Sequence, residues 1–291
     1  MTVETKWTIK RLLDWTTEFF NSKQLDSARL SAEVLLAEAL QCQRIELYTR
    51  FDEVPEESAL AKYRDWVKRH AAGEPVAYLA GHREFYSLKF EVNADVLIPR
   101  PETEHVVMAA LEVAKNFDSD VSIVDVGTGS GAIAVTLATQ LPESKMHATD
   151  ISLAAIAVAK RNAETHAVEN QIMFYEGDLL EPLPGDLQPG IIVSNPPYIG
   201  RSEQGTVDQS VRDHEPDVAL FAGETGTDVI APLIKSAAQR LISGGFLIFE
   251  TSPIVFDQCL SLIDDEPMFQ EPKSIKDYSG HRRVIQVSKS G

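Results

Sequence analysis

The stretch "VSIVDVGTGSGAIAV", residues 121–135, decides the reading of the fold. Its first half is apolar and β-branched at Val121, Ile123, Val124 and Val126, which suits a strand buried on both faces. Gly127, Gly129 and Gly131 follow, and Ala132–Gln140 then reads as a helix. Gly127 and Gly129 permit a tight turn and the close approach of a ligand, and Gly131 permits close packing of the helix. The spacing is Gly-x-Gly-x-Gly, not the Gly-x-Gly-x-x-Gly usual for a diphosphate. Asp125 stands just before the first glycine, and a carboxylate there suits a ligand carrying positive charge. A plain tight turn would also use these glycines, so the rest of the chain has to decide.

Downstream the same alternation continues. "KMHATD" (145–150), "IMFYEGD" (172–178), "GIIVSN" (190–195), "GGFLIFE" (244–250) and "RRVIQVS" (282–288) read as strands. Residues 153–165, 229–241 and 255–263 read as helices between them. Strands alternating with helices predict a mostly parallel sheet covered on both faces. The stretch from Ile199 to Asp228 shows no periodicity, and a connection that long is functional or mobile.

Upstream, "PRPETEHVVMAALEVAKN" (99–116) predicts a helix entered through two prolines. "FYSLKFEVNADVLIP" (85–99) alternates like a hairpin. Residues 7–73 read as short amphipathic helices: Ile9, Leu12, Leu13, Thr16, Phe19 and Phe20 on one face, Leu30, Val34, Ala37 and Leu40 on a second, Leu60, Tyr63, Val67 and His70 on a third. The expected organisation is a helical bundle over residues 1–75, a β-hairpin connector over 76–100, and an α/β domain over 101–291.

Composition narrows the function. The chain of 291 residues is 44% hydrophobic and 24% charged, as in a soluble globular protein, and its net charge is −17. Residues 1–100 hold 14 Lys/Arg and 16 Asp/Glu, whereas residues 101–291 hold 13 and 28, a balance of −15. A face that acidic repels a phosphate backbone, so no direct nucleic-acid partner is expected. No apolar run reaches the length of a membrane span, and "MTVETKWTIKRLLDW" has no signal-peptide core. Cys42 and Cys259 lie in separate regions, which suggests free thiols and a cytoplasmic setting. No metal and no membrane partner are expected.

Three further positions define a ligand. Asp150 closes the second strand of the α/β part, where a carboxylate can accept both hydroxyls of a ribose; its plainer use is to cap the next helix. Asp178 closes the third strand, placed to receive an exocyclic amine of adenine with Leu179 beside the ring; its plainer use is a capped turn. Taken with the glycine turn, these positions fit a cationic adenosine ligand, S-adenosylmethionine, and the pattern resembles class I methyltransferases: a Rossmann-like, mostly parallel sheet with an antiparallel last strand.

The tetrapeptide Asn195-Pro196-Pro197-Tyr198 ends the fourth strand. Asn195 offers a side-chain carbonyl and Pro196 a backbone carbonyl, held side by side by the stiff Pro-Pro unit. Two such acceptors can bind both hydrogens of a planar –NH2, and Tyr198 can pack on the group that carries it. An amide or arylamine nitrogen is a poor nucleophile because its lone pair is delocalised. Fixed acceptors off its plane favour the pyramidal nitrogen that attacks. The tetrapeptide therefore predicts methylation of a conjugated –NH2, with Asn195, Pro196 and Tyr198 as the catalytic group.

Nucleobase amines and glutamine amides both meet that description. "VLIPRPETE" (96–104), "VDVGTGSGAIAV" (124–135), "IVSNPPYI" (192–199), "VRDHEPDVALFAGETGTDVI" (211–230) and "KDYSGHRRVIQV" (276–287) together resemble the release-factor glutamine N5-methyltransferase family. The resemblance covers nearly the whole chain. It implies that Gly127, Thr128, Gly129, Ser130 and Gly131 meet the methionine part of the cofactor, Asp150 its ribose, and Asp178 with Leu179 its adenine. It implies that Asn195, Pro196, Pro197 and Tyr198 hold the substrate glutamine, with Asn195 also near the cofactor methyl. The implied substrate is the Gln of Gly-Gly-Gln in class I peptide-chain release factors, held in part by the helical N-terminal domain. The sequence departs from the family after "FLIFE": Thr251-Ser252-Pro253 stand where an aliphatic residue and Gly are usual, so that loop is expected to be reshaped. The rival readings are a sister family that methylates a ribosomal-protein glutamine, an adenine-N6 nucleic-acid methyltransferase, and a cofactor-binding scaffold without activity.

Overall fold

Ile191–Ser194, buried at every position, is a strand inside a sheet covered on both faces. The computed structural model describes residues 6–117 and 120–291. Among the described residues the strands are His82–Phe85 (β1), Leu88–Glu91 (β2), Ser122–Val126 (β3), Lys145–Asp150 (β4), Ile172–Glu176 (β5), Ile191–Ser194 (β6), Phe246–Glu250 (β7), Lys273–Lys276 (β8) and Arg282–Ser288 (β9). β1 and β2 pair by themselves, and the other seven form one sheet in the order β5-β4-β3-β6-β7-β9-β8. β3 to β7 are mutually parallel, while β9 runs antiparallel to both β7 and β8.

From β3 the chain moves outward through β4 to β5, then returns to β6 on the other side of β3 and moves outward to β7. The strand order therefore reverses between β3 and β6, and in parallel sheets the crevice beyond the strand ends at that point is where ligands bind. Alternate residues feed two cores. Ile123, Ile191, Val193 and Ile248 pack with the helices Glu104–Ala114 and Ala132–Gln140. Val124, Ile192, Leu247 and Phe249 pack with Ile230–Arg240 and Phe256–Asp264.

The chain divides into two compact units, Met1–Gly81 with Gln209–His214, and His82–Asp208 with Glu215–Gly291. The start of the expected 1–75 bundle, residues 1–5, lies outside the described residues. The first unit holds helices Ile9–Ser22, Ala28–Ala39, Arg44–Thr49, Glu57–Ala71 and Val76–Ala80 around a core of Leu13, Phe20, Leu35, Leu47 and Tyr63. Ser210 Oγ donates to the Gly73 carbonyl at 2.6 Å within this unit. The 76–100 stretch, expected as a connector, is divided: helix Val76–Ala80 belongs to the helical unit and the β1–β2 hairpin to the sheet unit. The hairpin turns through Tyr86 and Ser87, whose φ values of 50° and 63° fit a tight two-residue hairpin turn. Asn162 ties it to the sheet domain, accepting from Glu91 N at 2.7 Å and donating to Glu91 O at 3.0 Å.

Three expectations are corrected. The buried residues of Ala28–Ala39 are Ala28, Ser31, Ala32, Glu33, Leu35, Leu36, Ala37 and Ala39; of the expected face Ala37 is buried, while Leu30 is exposed. The leucines that face the core are Leu35 and Leu36 rather than Leu30. The strand β8 was not anticipated; three of its four residues are exposed, so it lacks an apolar signature. The Ile199–Asp228 stretch is built of short pieces: a 3-10 turn Arg201–Thr206, helices Gln209–His214 and Asp217–Leu220, and a bridge between Ile199 and Phe221. Pieces of four to six residues are too short to show a helical period.

Candidate active site

A cleft opens at the switch point, lined by the glycine turn after β3, the ends of β4 and β5, and the tetrapeptide after β6. In the turn Gly127, Gly129 and Gly131 have φ of 70°, 56° and 81°, values that L side chains rarely adopt. A Cβ on Gly131 would stand 3.1 Å from Ala159 Cβ, so this glycine serves helix packing. A Cβ on Gly127 or Gly129 would meet nothing within 4 Å, so these two leave room at the cleft. The backbone is held from outside: Gly127 N and Thr128 N donate to Thr149 O, both at 2.9 Å, and Asn162 Nδ2 donates to Ser130 O at 2.8 Å.

Asp125 is fully buried and is not part of the cleft wall, which corrects its reading as a direct partner of a charged ligand. Its Oδ2 accepts from Thr128 Oγ1 at 2.7 Å and Ala134 N at 3.1 Å and so braces the turn from behind. Its Oδ1 is buried and has no hydrogen-bond partner in the structure. Burial pushes its pKa up to about 7, against the pull of those two hydrogen bonds. The folded chain thus keeps a proton that the unfolded chain releases near the ordinary aspartate value of 3.8. Stability at this site falls as pH rises between those values and is level above. Asp125→Asn removes the titration. The melting temperature of Asp125→Asn relative to the parent should climb from pH 4 to about pH 7 and then level off; a pH-independent difference would refute the assignment.

Asp150 lines the cleft. Its Oδ2 accepts from Gly129 N at 2.8 Å and its Oδ1 from Ser152 N at 2.9 Å, so one carboxylate joins the glycine turn to the end of β4. The cap of the following helix is Ser152, whose hydroxyl accepts from Ala155 N, and not Asp150. Burial raises the Asp150 pKa, opposed by the backbone N–H groups of Ser152, Gly129 and Ile151. Gly177, Asp178 and Leu179 line the cleft at the end of β5.

At the tetrapeptide, Asn195, Pro196 and Pro197 line the cleft, and Tyr198 does not. Asn195 Nδ2 donates to Thr103 Oγ1 at 3.1 Å, and Thr103 Oγ1 donates to Glu250 Oε2 at 2.6 Å. Tyr198 donates its hydroxyl to the other oxygen, Glu250 Oε1, at 3.2 Å. Burial and the Glu250 carboxylate push the Tyr198 phenol far above its ordinary range, so it stays a donor. Burial raises the pKa of Glu250 as well, opposed by its bonds from Thr103 and Tyr198 and by Arg283.

The remaining walls come from Asp95, Val96, Leu97 and Pro99 on one side and Pro216, Val218 and Ala219 on the other. Glu215, its side chain 1% exposed, fastens them: it accepts from Arg100 Nη2 at 2.6 Å and from Ile98 N at 3.1 Å. The loop after β7 is closed locally, with Ser252 Oγ accepting from Val255 N at 3.4 Å. The residue reading gave Thr103, Glu215 and Glu250 no role. The signal was present, since Thr103 and Glu215 lie inside "IPRPETE" and "RDHEPDV" and Glu250 ends an apolar strand.

Cys42 and Cys259 are both free, and among the described residues no helix is long and apolar enough to cross a membrane. No cluster of His, Cys, Asp and Glu among the described residues could hold a metal ion.

The sheet order, with its antiparallel strand β9 and the glycine turn at the switch point, defines a class I methyltransferase fold. A family profile described as "PrmC N-terminal domain" matches residues 11–81, and one described as "Methyltransferase small domain" matches residues 105–213. A protein of Rhodopirellula baltica named "Release factor glutamine methyltransferase" is 45% identical over 99% of this chain and 98% of its own length. Proteins of the same name from Koribacter versatilis and Chlorobaculum tepidum are 38% and 42% identical, over 96% and 86% of this chain and 97% and 87% of their own lengths. The chain belongs to the release factor glutamine methyltransferase family, and it is an S-adenosylmethionine-dependent methyltransferase.

Proposed function

We propose that this chain methylates N5 of the glutamine side chain in the Gly-Gly-Gln motif of class I peptide-chain release factors. The observation that carries the reading is the orientation of Asn195: one N–H of its –NH2 donates to Thr103, which turns the amide so that its carbonyl is the acceptor offered on the other side, beside Pro196 at the cleft. The cleft suits S-adenosylmethionine. It has open room at Gly127 and Gly129, a carboxylate at Asp150 with unused lone pairs, and Asp178 with Leu179 at its far edge. Gly127–Gly131 would hold the methionine part, Asp150 the ribose, and Asp178 with Leu179 the adenine. The cofactor supplies an electrophilic methyl on a sulfonium sulfur.

The chain's own groups do the rest. Asn195 Oδ1 and the Pro196 carbonyl accept the two N–H bonds of the glutamine amide and hold its nitrogen pyramidal, with its lone pair directed outward. Holding the nitrogen in line supplies the remaining acceleration. The proton leaves after transfer, so no strong base is required. Tyr198 acts from behind the tetrapeptide through its bond to Glu250. The helical unit would recognise the folded release factor, and a cytoplasmic enzyme without direct nucleic-acid contact fits the acidic balance of residues 101–291.

The test incubates the protein with labelled S-adenosylmethionine and purified release factor, ribosomal protein or DNA, and locates the label by peptide mass. Label on the Gly-Gly-Gln glutamine is expected; label on the ribosomal protein or DNA alone would replace this reading. Asp150→Ala should weaken S-adenosylmethionine binding by about tenfold or more, the roughly 1.5–3 kcal/mol of a hydrogen bond to a charged group. Unchanged affinity in calorimetric titration would remove Asp150 from the cofactor site.

A further inference from the structure

We infer that Glu250 is a positioning residue which, through Thr103, locks the Asn195 amide with its carbonyl facing the substrate. The inference rests on the glutamine-methylation reading above and concerns how the acceptor is held.

The strand register brings the groups together. Ser194 at the end of β6 pairs with Phe249 in β7, so Asn195, the first residue past β6, stands beside Glu250, the last residue of β7. Glu250 is 1% exposed, and each of its oxygens takes one hydroxyl, from Thr103 and from Tyr198. The first and last residues of the tetrapeptide are therefore tied to one carboxylate, Tyr198 directly and Asn195 through one hydroxyl.

The direction of the lock follows from proton counting. A threonine hydroxyl has one proton and two lone pairs. While Glu250 is ionised its carboxylate only accepts, so the Thr103 proton is committed to Glu250 Oε2 at 2.6 Å. What Thr103 shows Asn195 is then lone pairs alone. An amide –NH2 fits there and an amide carbonyl does not, because two acceptors would face each other with no proton between them. The flipped Asn195 is thereby excluded, and with it a site that would offer –NH2 to the substrate –NH2. Removing the carboxylate frees the Thr103 proton to rotate toward Asn195, and both amide orientations become available.

The test uses the full chain with S-adenosylmethionine and intact release factor. Glu250→Met removes the acceptor at similar size, and Thr103→Val removes the hydroxyl at nearly the same shape. Each should lower kcat by about tenfold or more, as misplacement of a reacting group does, with KM for release factor and cofactor affinity within about twofold of the parent. Thr103→Ser, which restores the hydroxyl, and Glu250→Gln, which keeps a carbonyl, should each retain more turnover than the paired apolar variant. In an Asn195→Ala background Thr103→Val should cost nothing further, because both changes act on one acceptor. Parent-like kcat in Thr103→Val alongside a crippled Asn195→Ala overturns the inference and leaves the glutamine reading standing. Additive losses in the double variant overturn it as well. Should Glu250→Met fail to fold, the Thr103→Val and Thr103→Ser pair decides alone. A parent chain that transfers no methyl to release factor ends the functional reading, and this inference with it.

Discussion

Asn195→Ala is expected to lower turnover on release factor by roughly 10²-fold or more, the loss seen when one preorganised hydrogen-bonding partner of a transition state is removed. Alanine leaves the Pro196 carbonyl as a lone acceptor for an –NH2 group that has two hydrogens to place. The amide then relaxes toward planarity, and its lone pair returns to the carbonyl it is conjugated with. The fold should tolerate the change. Asn195 is half-buried, and the hydroxyl it leaves behind, Thr103 Oγ1, keeps its bond to Glu250. Cofactor affinity should change less than kcat, since Gly127–Gly131, Asp150 and Asp178 lie on other strands' ends. Single-turnover kinetics with saturating cofactor separates the two effects. Near-normal turnover would show that the substrate amide is held by some other pair of acceptors.

The elements that were legible in the sequence share a physical property. Lys145–Asp150, Ala132–Gln140, Leu153–Thr165 and Arg282–Ser288 occupy the residues read for them. Each is either long enough to show a period or bounded by glycine or proline. β8 and the helices Gln209–His214 and Asp217–Leu220 are short and mostly exposed, so neither burial nor periodicity marks them. The site divides in the same way. The cleft residues that the sequence marks lie at strand ends and announce themselves as glycines, prolines and acids out of pattern. The groups that hold them do not, because their partners are distant in sequence: Thr103 meets Glu250 across 147 positions and Ile98 meets Glu215 across 117. Asp125 shows the converse error. Its position suggested a ligand contact, but a strand buried on both faces turns that side chain inward, where Thr128 of the turn and the Ala134 N–H of the next helix satisfy one of its oxygens.

Gly226→Ala should disturb the tetrapeptide from a distance of sequence that gives no hint of it. Gly226 has φ of 81°, and a Cβ there would stand 2.7 Å from Tyr198 O and 3.2 Å from Gly200 N. The neighbour at 2.7 Å is backbone, so no rotamer change relieves it. Nor can the segment slide freely. Ala222 N donates to Ile199 O at 2.9 Å, Ile199 N to Leu220 O at 3.1 Å, and Arg201 N to Gly223 O at 3.0 Å. With the Tyr198 hydroxyl held by Glu250, the displaced carbonyl transmits its shift to the residues between Tyr198 and Asn195. The left-handed backbone alone costs alanine about 1–2 kcal/mol, and overpacking adds to it. A shift near 1 Å at the reacting centre lowers kcat by roughly 10²-fold. Gly205 supplies the control from the same connection: nothing lies within 4 Å of its Cβ position, and its φ is not positive. Gly205→Ala should therefore stay within about 0.5 kcal/mol of the parent and keep its kcat. Thermal unfolding and single-turnover rates on the two variants check both parts. A Gly226→Ala protein that melts lower but turns over like the parent would show that this loop stabilises the domain without positioning Asn195.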